Sequence, residues 1–375
     1  MTDTQDASPR VILHLIDTTG PGGAETVFIN LLKAMDQTQY RNLVVLRGEG
    51  WVADKVRSIG IAPLIIDSKG SFNLAYIRAL RDLLVEEKVD LIHAHLLGSN
   101  VYGAVVAILT GKPMIATFHG AVDVAARERF LRTKFFLIGW GASKIVCVSK
   151  RLEQELATRS TLPPGKLKLI YNGVDPSSFH RETRSDLRAE LGLAPESTVV
   201  VSIGDIRPAK GYEYLIEAAF RMFEHDPNTH FVVVGHQREA LFRQLMSKIQ
   251  GSEKKPRIHW LGFREDVGDI LLQADIFLLP STSEGFSIST VEAMMAGVPV
   301  IATRSGGPEE IICNQETGFL IPVKDSSAIV EAIESLKVPD TRKRLVEKAR
   351  LVAGEKFGLT TMLNEYRGLY QQLLS

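Results

Sequence analysis

Short apolar runs rich in β-branched residues recur along the whole chain, and longer helical patterns separate them. In the first half the runs are VILHLI, NLVVLR, PLIID, VDLIHAH, PMIATFH, KIVCVS and KLKLIYN, and in the second half they are STVVVSIG, HFVVVG, RIHWLG, DIFLLP, VPVIAT and GFLIP. Continuous apolar strands are typical of parallel sheets that helices cover on both faces. The pattern therefore predicts an α/β protein.

The alternation is interrupted once, where YNGVDPSSF is followed by the polar stretch RSDLRAELGL, and we expect a hinge between residues 173 and 195. The 375 residues suffice for two domains that each bury a core. Both halves open with a strand, a glycine-containing loop and a helix. We expect two Rossmann-like domains, residues 1–178 and 179–356, whose parallel sheets face each other across a cleft.

Composition argues against several classes of protein. The 44 basic and 44 acidic residues cancel, so no overall field attracts a nucleic acid, and we expect no nucleic-acid partner. Cys147 and Cys313 have neither metal-ligand spacing nor a disulfide framework. The start MTDTQDASPR leads into a strand rather than a signal peptide, and no apolar run reaches the ~18 residues of a membrane span. These features are typical of a soluble, cytoplasmic protein.

Two loops carry residues that suit a phosphate ligand. In GDIRPAKG, Arg207 and Lys210 stand between a strand and a helix, where free backbone N–H groups already favour an anion. In SEGFSIS, the amides from Gly285 to Ser287 open the helix that carries Glu292. Together the loops predict a diphosphate site, although Arg207 and Lys210 taken alone are equally compatible with solvated loop charges.

Motifs that would hold a metal ion on a phosphate are absent from the sequence. No two aspartates stand two residues apart, and there is no GxxxxGK[ST] loop. GPGGAE does not fit GxGxxG, although Gly22 and Gly23 permit a ligand to approach the backbone closely. We therefore expect a diphosphate neutralised by side chains and helix amides, with no metal and no cofactor.

Three histidines lie at predicted strand ends. His93 and His95 are two apart in LIHAHLL and point to one face of a strand, and with His119 in TFHG they could form a zinc site. No cysteine or carboxylate stands beside them, so a donor or acceptor role is favoured over metal binding. His119 stands before Gly120 at a strand tip and is the best placed of the three to reach a ligand.

The segment RERFLRTKFFLIGWGASK, residues 127–144, mixes basic residues with phenylalanines and Trp140. On a helical wheel its apolar residues spread nearly all round, so we expect the segment to be buried. The alternative is a peripheral patch that makes weak contact with a membrane carrying a lipid-linked acceptor.

Many short motifs occur in a fixed order along the chain. They are GGAE (22–25), HAH (93–95), TFHG (117–120), CVSK (147–150), NGVD (172–175), GDIRPAKG (204–211), HWLGFREDV (259–267), SEGFSISTVEAMMAGVPVIAT (283–303), GGPEEII (306–312) and TGFLIP (317–322). In this order they resemble the retaining glycosyltransferases of family 4, which have the two-domain GT-B fold. The most specific is the Glu-x7-Glu element of Glu284 and Glu292. One departure is GDIRPAKG, where the family more often has Gly-Arg-Leu in place of Gly-Asp-Ile.

For the donor, the resemblance implies a nucleotide sugar bound by the C-terminal domain. Arg207 and Lys210 would hold its diphosphate and stabilise the charge that develops there. The amides near Gly285, Phe286 and Ser287 would help them.

The resemblance also implies separate roles for the two glutamates. Glu284 would hold the sugar close to its anomeric carbon, and Glu292 would accept hydrogen bonds from the ribose hydroxyls. The backbone of Phe263 and Arg264 would contact the base, and His119 would contact the sugar from the opposite domain.

The resemblance makes the N-terminal domain the acceptor side. There Gly22 and Gly23 would let the acceptor and phosphate approach, and the last helix, about residues 357–375, would pack back onto this domain. The implied reaction is a metal-independent, retaining transfer of a hexosyl-type sugar from a UDP-sugar to a glycan or lipid-linked glycan. Polysaccharide or cell-envelope biosynthesis, in the cytoplasm or at the inner face of the membrane, is the implied setting.

Several readings remain open at this point. The transfer could follow a front-face route or a double displacement with Glu284 as nucleophile. A sugar-nucleotide epimerase shares the GT-B fold, and a non-catalytic nucleotide-sugar-binding protein would not turn over. A nicotinamide-dependent oxidoreductase would need a GxGxxG loop, which neither half supplies.

Overall fold

The computed structural model describes residues 8–69, 72–120, 129–179, 183, 185–249 and 257–375. The chain forms two compact units, which we call unit 1 (Met1–Gly173 with Leu359–Ser375) and unit 2 (Val174–Gly358). The division falls at the start of the region where the hinge is expected. Residues 180–182 and 184 of that region lie outside the described residues.

Unit 1 contains seven of the strands and seven of the helices that the structure describes. Its strands are β1 (Arg10–Ile16), β2 (Tyr40–Leu46), β3 (Leu64–Ile65), β4 (Leu91–His95), β5 (Met114–Phe118), β6 (Lys144–Cys147) and β7 (Leu167–Leu169). Its helices are α1 (Gly23–Ala34), α2 (Trp51–Ser58), α3 (Leu74–Glu86), α4 (Leu97–Thr110), α5 (Leu131–Gly141), α6 (Lys150–Arg159) and, from the end of the chain, α15 (Leu359–Leu374).

Unit 2 contains the remaining described elements. Its strands are β8 (Thr198–Ile203), β9 (Thr229–Val234), β10 (Ile258–Gly262), β11 (Ile276–Leu279), β12 (Val300–Thr303) and β13 (Phe319–Ile321). Its helices are α7 (Leu187–Leu191), α8 (Tyr212–Met222), α9 (Glu239–Ile249), α10 (Val267–Leu272), α11 (Ile288–Ala296), α12 (Pro308–Ile311), α13 (Ser326–Leu336) and α14 (Pro339–Phe357).

Each unit has one parallel sheet, and the two sheets share the same strand order. The orders are β3-β2-β1-β4-β5-β6-β7 in unit 1 and β10-β9-β8-β11-β12-β13 in unit 2. Both orders reverse at one place, between β1 and β4 or between β8 and β11, as in the doubly wound Rossmann fold. The predicted α/β class with two Rossmann-like sheets is confirmed. Ligands of such sheets bind beyond the carboxyl ends of the strands, where the order reverses.

The central strands are buried on both faces, as their continuous apolar sequences predict. Every residue of β4, β5, β11 and β12 is buried. The edge strand β3 has only two residues and both are exposed, and α7 covers only half of the polar stretch RSDLRAELGL. None of the helices within the described ranges is both long and apolar enough to cross a bilayer.

Helix α5 is where the expectation of burial is wrong. The segment buries one side of the helix, but three aromatic side chains are more than 60% exposed: Phe130, Phe136 and Trp140. The physical reason is that α5 approaches α4 closely at Gly141, where a β-carbon would clash with the carbonyl of Ala104. The inner side holds Phe135 and Ile138 together with the glycines, and Phe136 and Trp140 lie on the outer side. Arg127 of the same segment lies outside the described residues.

Candidate active site

The loops that follow β8 and β11 lie side by side in unit 2. The two strands are neighbours, with Phe277 beside Val201, and they flank the point where the strand order reverses. Beyond the strands the contact continues, since the backbone N–H of Thr282 donates to the carbonyl of Ala209 over 2.7 Å. The topology therefore brings together the two loops in which the sequence predicts a diphosphate site.

An ion pair joins these loops. The Nζ atom of Lys210 donates to Oε2 of Glu284 over 2.7 Å, and both side chains are only 14% exposed. The hydroxyl of Ser281 donates to the same oxygen over 3.1 Å. Both of these donors lie on Oε2, so within the described ranges Oε1 is the carboxylate oxygen left to accept hydrogen bonds from a ligand.

The position of Lys210 is set by its surroundings. Its stem lies against Gly204, where a β-carbon would stand 2.9 Å from the lysine Cε, and Gly204 has a φ of +154°. The hydroxyl of buried Tyr212 donates to the carbonyl of Gly204 over 2.5 Å and fixes that turn. Lys210 is therefore held in place, unlike a solvated loop charge.

The Arg207 side chain is more exposed and less constrained than that of Lys210. It precedes the short 3-10 helix Pro208–Lys210, its side chain is 42% exposed, and its nearest acid is Asp205 at 3.8 Å. An exposed pair of this kind contributes little to stability. The guanidinium is therefore available to an anionic ligand.

The Gly-Gly turn after β12 holds the Glu284 loop from its other side. The backbone N–H of Glu284 donates to Ser305 over 2.9 Å, and Gly307 donates to the carbonyl of Glu284 over 3.0 Å. A β-carbon at Gly307 would clash with the carbonyl of Gly285. The second glycine is thus needed for close backbone contact, and Glu284 is held between the turns of two neighbouring strands.

Glu292 lies in the second turn of α11 and has a different environment. Its side chain is partly buried, and no residue in the described ranges forms a hydrogen bond or ion pair with its carboxyl group. Burial raises the pKa of Glu292 from its ordinary value of 4.5 to about 7. A carboxyl group without a partner can accept hydrogen bonds from a ligand.

The residues between the two glutamates form the start of α11. Ser287 is its N-cap, and its hydroxyl accepts from the backbone N–H of Thr290. Phe286 is buried, with its ring 5.6 Å from that of Phe357 in an edge-on contact, and Gly285 lies against the Gly-Gly turn. This packing fixes where the helix begins.

Phe263 and Arg264 follow β10 at the far edge of the same sheet. Phe263 is 39% exposed, and its ring stacks on His236 with centroids 4.7 Å apart and planes 4° apart. The guanidinium of Arg264 is bound by Glu190 and Asp266, at 2.6 Å each. Its side chain is thus engaged in ion pairs, and a flat aromatic surface lies next to it.

In unit 1, Gly22 and Gly23 open α1. Gly22 is its N-cap in an extended conformation, and a β-carbon there would clash with the carboxylate of Glu25, which folds back over it. The Thr26 hydroxyl donates to the Gly22 carbonyl over 2.9 Å. A side chain at Gly22 would therefore have to displace the carboxylate of Glu25.

His93 lies in a buried polar layer on the face of the unit 1 sheet. Its Nδ1 is 2.7 Å from the hydroxyl of Tyr370 on α15, and its Nε2 is 2.9 Å from that of Thr117 on β5. The layer continues to His14, whose Nε2 is 3.0 Å from Oδ1 of Asn42 on β2. Through His93, these bonds link α15 to β4 and β5.

A metal ion would have to replace these bonds. The ligand nitrogens of His14, His93 and His95 lie within 4.8 Å of one another. Two ligands of one zinc ion stand at most about 4.2 Å apart, since each Zn–N bond is about 2.1 Å. Both nitrogens of His93 are also occupied, so the arrangement fits a hydrogen-bonded layer better than a metal centre.

His119 follows β5 at the carboxyl end of the sheet, where a strand tip was predicted. Its Nε2 is 3.1 Å from Nδ1 of His95, so the layer reaches this position. Burial lowers the pKa of His119 to about 4. At neutral pH the ring is therefore uncharged and can donate through one nitrogen and accept through the other.

Sequence reasoning missed Asp17 and Ser281. Asp17 follows β1, lies against Gly98 after the neighbouring β4, and has a pKa that burial raises. Ser281 follows β11 directly and supports Glu284. In the sequence both residues stand directly after an apolar strand run. Ligands of parallel sheets bind beyond the ends of such strands, and no other feature of the sequence indicates these two residues.

Two units with the Rossmann strand order, one of them with a buried lysine–glutamate pair where the order reverses, define a protein of the GT-B class. The solved structure of the Anabaena protein HepE in complex with UDP and glucose superposes with a TM-score of 0.87 at 24% identity, covering 97% of this chain and all of that one. That likeness confirms the fold.

Family models match both halves of the chain. Residues 21–178 match the model described as Glycosyltransferase Family 4, and residues 183–352 match the model described as Glycosyl transferases group 1. The chain therefore belongs to the family-4-like glycosyltransferases, and it is a glycosyltransferase.

Two curated relatives show the range of that family. An Escherichia coli protein named UDP-Gal:alpha-D-GlcNAc-diphosphoundecaprenol alpha-1,3-galactosyltransferase is 25% identical over 93% of both chains. The N-acetyl-alpha-D-glucosaminyl L-malate synthase of Bacillus anthracis is 26% identical over 81% of this chain and 80% of its own. Their acceptors differ in kind, so family membership alone does not define an acceptor.

Proposed function

We propose that this protein is a retaining, metal-independent hexosyltransferase that moves a sugar from a UDP-sugar to a glycan or lipid-linked glycan. The observation that carries the proposal is the Lys210–Glu284 pair, 2.7 Å apart and largely buried where the strand order of unit 2 reverses. Unit 2 is the donor side and unit 1 the acceptor side in this proposal.

Three cationic or polar groups support a diphosphate at this place. Arg207 is half-exposed, Lys210 is fixed, and α11 begins a few residues away at Ser287. Loss of a nucleoside diphosphate needs stabilisation of negative charge more than a strong acid, and preorganised cations and helix amides supply it.

The roles of the two glutamates follow from their surroundings. Glu284 binds sugar hydroxyls through Oε1, and Glu292, which has no partner among the residues that the structure describes, accepts the ribose hydroxyls. A carboxylate held by Lys210 and Ser281 is a weak nucleophile, which favours a front-face route over a double displacement with Glu284. In that route a phosphate oxygen of the donor takes the proton of the acceptor hydroxyl.

The α-linkages named for both relatives support retention, because UDP-hexoses of the common kind are themselves α-linked. The lipid diphosphate in the name of the Escherichia coli relative supports a lipid-linked acceptor. His119, uncharged at neutral pH, and the crowded turn at Gly22 and Gly23 are the unit 1 groups that we assign to the sugar and the acceptor.

Metal independence is tested by chelation. With arginine, lysine and helix amides on the diphosphate, EDTA is expected to leave most of the turnover of purified enzyme in place. Activity that is lost with EDTA and restored by magnesium or manganese would contradict a cation-free site.

The donor is tested without knowing the acceptor. A transferase hydrolyses its own donor slowly in the absence of acceptor, so a panel of UDP-sugars is incubated with the protein and UDP release is measured. One or a few sugars should give UDP, and Glu284→Gln should abolish that release while Glu331→Gln, at an exposed glutamate on α13, should not.

The products separate the alternatives. Proton NMR of the reaction shows an α-anomer first for a retaining enzyme and a β-anomer for an inverting one. A new epimer of the intact UDP-sugar identifies an epimerase, and binding without any turnover identifies a sugar-binding protein. A β-anomer would contradict retention, and either of the last two results would overturn the proposed transferase.

A further inference from the structure

Helix α5 exposes an aromatic and basic stripe. Arg132, Phe136 and Trp140 are spaced four residues apart, so they lie above one another on one side of the helix, and all three are exposed. The rings of Phe136 and Trp140 lie 6.4 Å apart. Just before the helix, the guanidinium of Arg129 lies 4.8 Å from the ring centroid of exposed Phe130, over the ring face.

The packing of α5 is complete without these aromatic residues. Phe135 and Ile138 fill the inner side, and a β-carbon at Gly139 would stand 2.9 Å from Pro163. The Nζ atom of Lys166 donates to the carbonyls of Gly139 and Ala142, at 2.9 and 2.8 Å, and so satisfies the end of the helix. The outer aromatics therefore contribute nothing to the core of unit 1, although single exposed apolar residues need no explanation.

The charged residues that the structure describes on α4, α5 and just before α5 are all basic. Helices α4 and α5 pack together and contain no acidic residue, whereas α5 carries Arg132 and Lys134 and Arg129 precedes it. Lys166 adds a further positive charge at the carboxyl end of α5. Within the described ranges neither Arg129 nor Arg132 has an ion-pair partner. Among the described residues of α4, α5 and the two positions before α5, no acidic side chain offsets these charges.

We propose that the outer face of α5, with Phe130, Phe136, Trp140, Arg129 and Arg132, docks on an anionic lipid bilayer. Tryptophan and phenylalanine partition into the headgroup region, and arginine binds the phosphates there. No step of sugar transfer is needed for this contact, so it stands or falls independently of the proposed donor and acceptor.

A bilayer fits this face better than a second copy of the chain does. In a symmetric dimer through α5, the arginines of the two copies would approach each other without an acidic residue on α4 or α5 to neutralise them. An anionic membrane supplies both an apolar layer and negative charge. Attraction to such a surface falls off within a Debye length and weakens with salt.

Vesicle co-sedimentation tests the proposal with the full chain. Phosphatidylcholine vesicles with and without about 30% phosphatidylglycerol are compared at about 50 and 500 mM salt. We expect binding to the anionic vesicles at low salt, and Phe136→Ser/Trp140→Ser or Arg129→Glu/Arg132→Glu should each weaken it by about tenfold or more. Brominated phosphatidylglycerol should quench the fluorescence of Trp140, and the variant Trp140→Phe should lose most of that quenching.

Matched variants separate this face from a general effect. Val85 and Leu351 are 70% and 61% exposed on other helices, so Val85→Ser/Leu351→Ser removes exposed apolar surface elsewhere. Arg221→Glu/Lys343→Glu changes the net charge equally on unit 2. Both controls should bind like the wild type, and circular dichroism checks that every variant is folded.

Three results would overturn the proposal. They are absence of binding to anionic vesicles at low salt, equal loss of binding in the control and α5 variants, and binding that ignores lipid charge. Concentration-dependent self-association in light scattering that Phe136→Ser/Trp140→Ser abolishes, without vesicle binding, would assign the face to a second copy instead.

Discussion

Glu284 and Glu292 differ in chemical state as well as in place. Glu284 is held by a lysine and a serine hydroxyl, both on one oxygen. Glu292 has no partner in the part of the chain that the structure describes, and burial raises its pKa to about 7. Substitutions at the two positions should therefore change different quantities, UDP affinity for Glu292 and kcat for Glu284.

Glu292→Ala is expected to weaken the binding of UDP by about 1.5–3 kcal/mol, because it removes a charge-assisted bond to the ribose. Glu284→Gln keeps the shape of the side chain and frees Lys210 for the diphosphate, so UDP affinity should be unchanged or higher. Its kcat should fall by about 10²–10³-fold, since the lost charge lies at the reacting sugar. Isothermal titration with UDP and steady-state kinetics measure the two effects.

UDP separates the roles because it contains the ribose and diphosphate but no transferred sugar. Glu331→Gln, on the exposed side of α13, serves as the control and should change neither quantity. Weaker UDP binding by Glu284→Gln than by Glu292→Ala would show that the two roles are assigned the wrong way round.

The raised pKa of Glu292 makes stability depend on pH. The native carboxyl keeps its proton up to about pH 7, whereas the unfolded one releases it near 4.5. Between these values the native state binds more protons, so this group's contribution to the free energy of unfolding is lost as pH rises through about 7. Glu292→Gln lacks this loss, and its stability relative to wild type should rise from about pH 5 to about pH 8.

Urea denaturation across that range measures the difference. Glu331→Gln should give a difference that does not vary with pH, because its side chain is exposed. A flat profile for Glu292→Gln as well would mean that the native carboxyl ionises normally. That result would contradict the raised pKa of Glu292.

At the level of elements, three neighbouring strand ends shape the site. The turns after β8, β11 and β12 contact one another through backbone atoms, and glycines occur where a side chain would separate them. Gly307 is the clearest case, because its φ of −59° suits any residue and only the contact with Gly285 excludes a β-carbon.

Gly307→Ala is therefore expected to lower the free energy of unfolding by about 1–3 kcal/mol, through overpacking against the Gly285 carbonyl. Since Gly307 also holds the Glu284 backbone, donor hydrolysis should fall with it. Gly354→Ala on α14 is the matched control in the same unit, with open space around its β-carbon, and should stabilise by about 0.5–1 kcal/mol. Denaturation and UDP release are measured for both; equal stability of the two variants would contradict the contact.

The elements were predictable where one physical signal dominates. Every strand run singled out in the sequence became a strand, because β-branched apolar runs have few alternatives to a buried sheet. The exposed side of helix α5 was not predictable, because a helical wheel shows where apolar residues stand but not that Gly139 and Gly141 make close contacts on the inner side. Close packing through glycine depends on the partner helix, which the local sequence does not contain.

At the scale of the whole molecule, the sequence was enough to locate the loops that carry Lys210 and Glu284. It was not enough to show that these loops contact each other. The order of strands in a doubly wound sheet makes β8 and β11 neighbours although β9 and β10 separate them in sequence. Lys210 and Glu284 are 74 positions apart, and nothing local indicates that they pair. The link from His93 to Tyr370, 277 positions apart, depends equally on the return of α15 to the sheet of unit 1.

The two units also differ in the number of histidines whose pKa is lowered by burial. Burial lowers the pKa of four histidines in unit 1: His14, His93, His95 and His119. In unit 2 the pKa is lowered for His230 and His259, again mainly by burial. Each such group is neutral when folded and takes up a proton near pH 6.5 when unfolded, so its contribution to stability is lost as pH falls below that value.

Unit 1 should therefore lose stability sooner than unit 2 as pH falls from about 7 to about 4.5, since each proton taken up on unfolding contributes a slope of about 1.4 kcal/mol per pH unit. Hydrogen exchange read by mass spectrometry, corrected for the intrinsic pH dependence, should show protection lost first in β1 and β4 and later in β8 and β11. His95→Gln should flatten the acid slope of unit 1, because the glutamine takes up no proton, whereas His225→Gln at an exposed position should leave it unchanged. Simultaneous loss of protection in both units, or an unaltered slope in His95→Gln, would show that the buried histidines do not control the acid response.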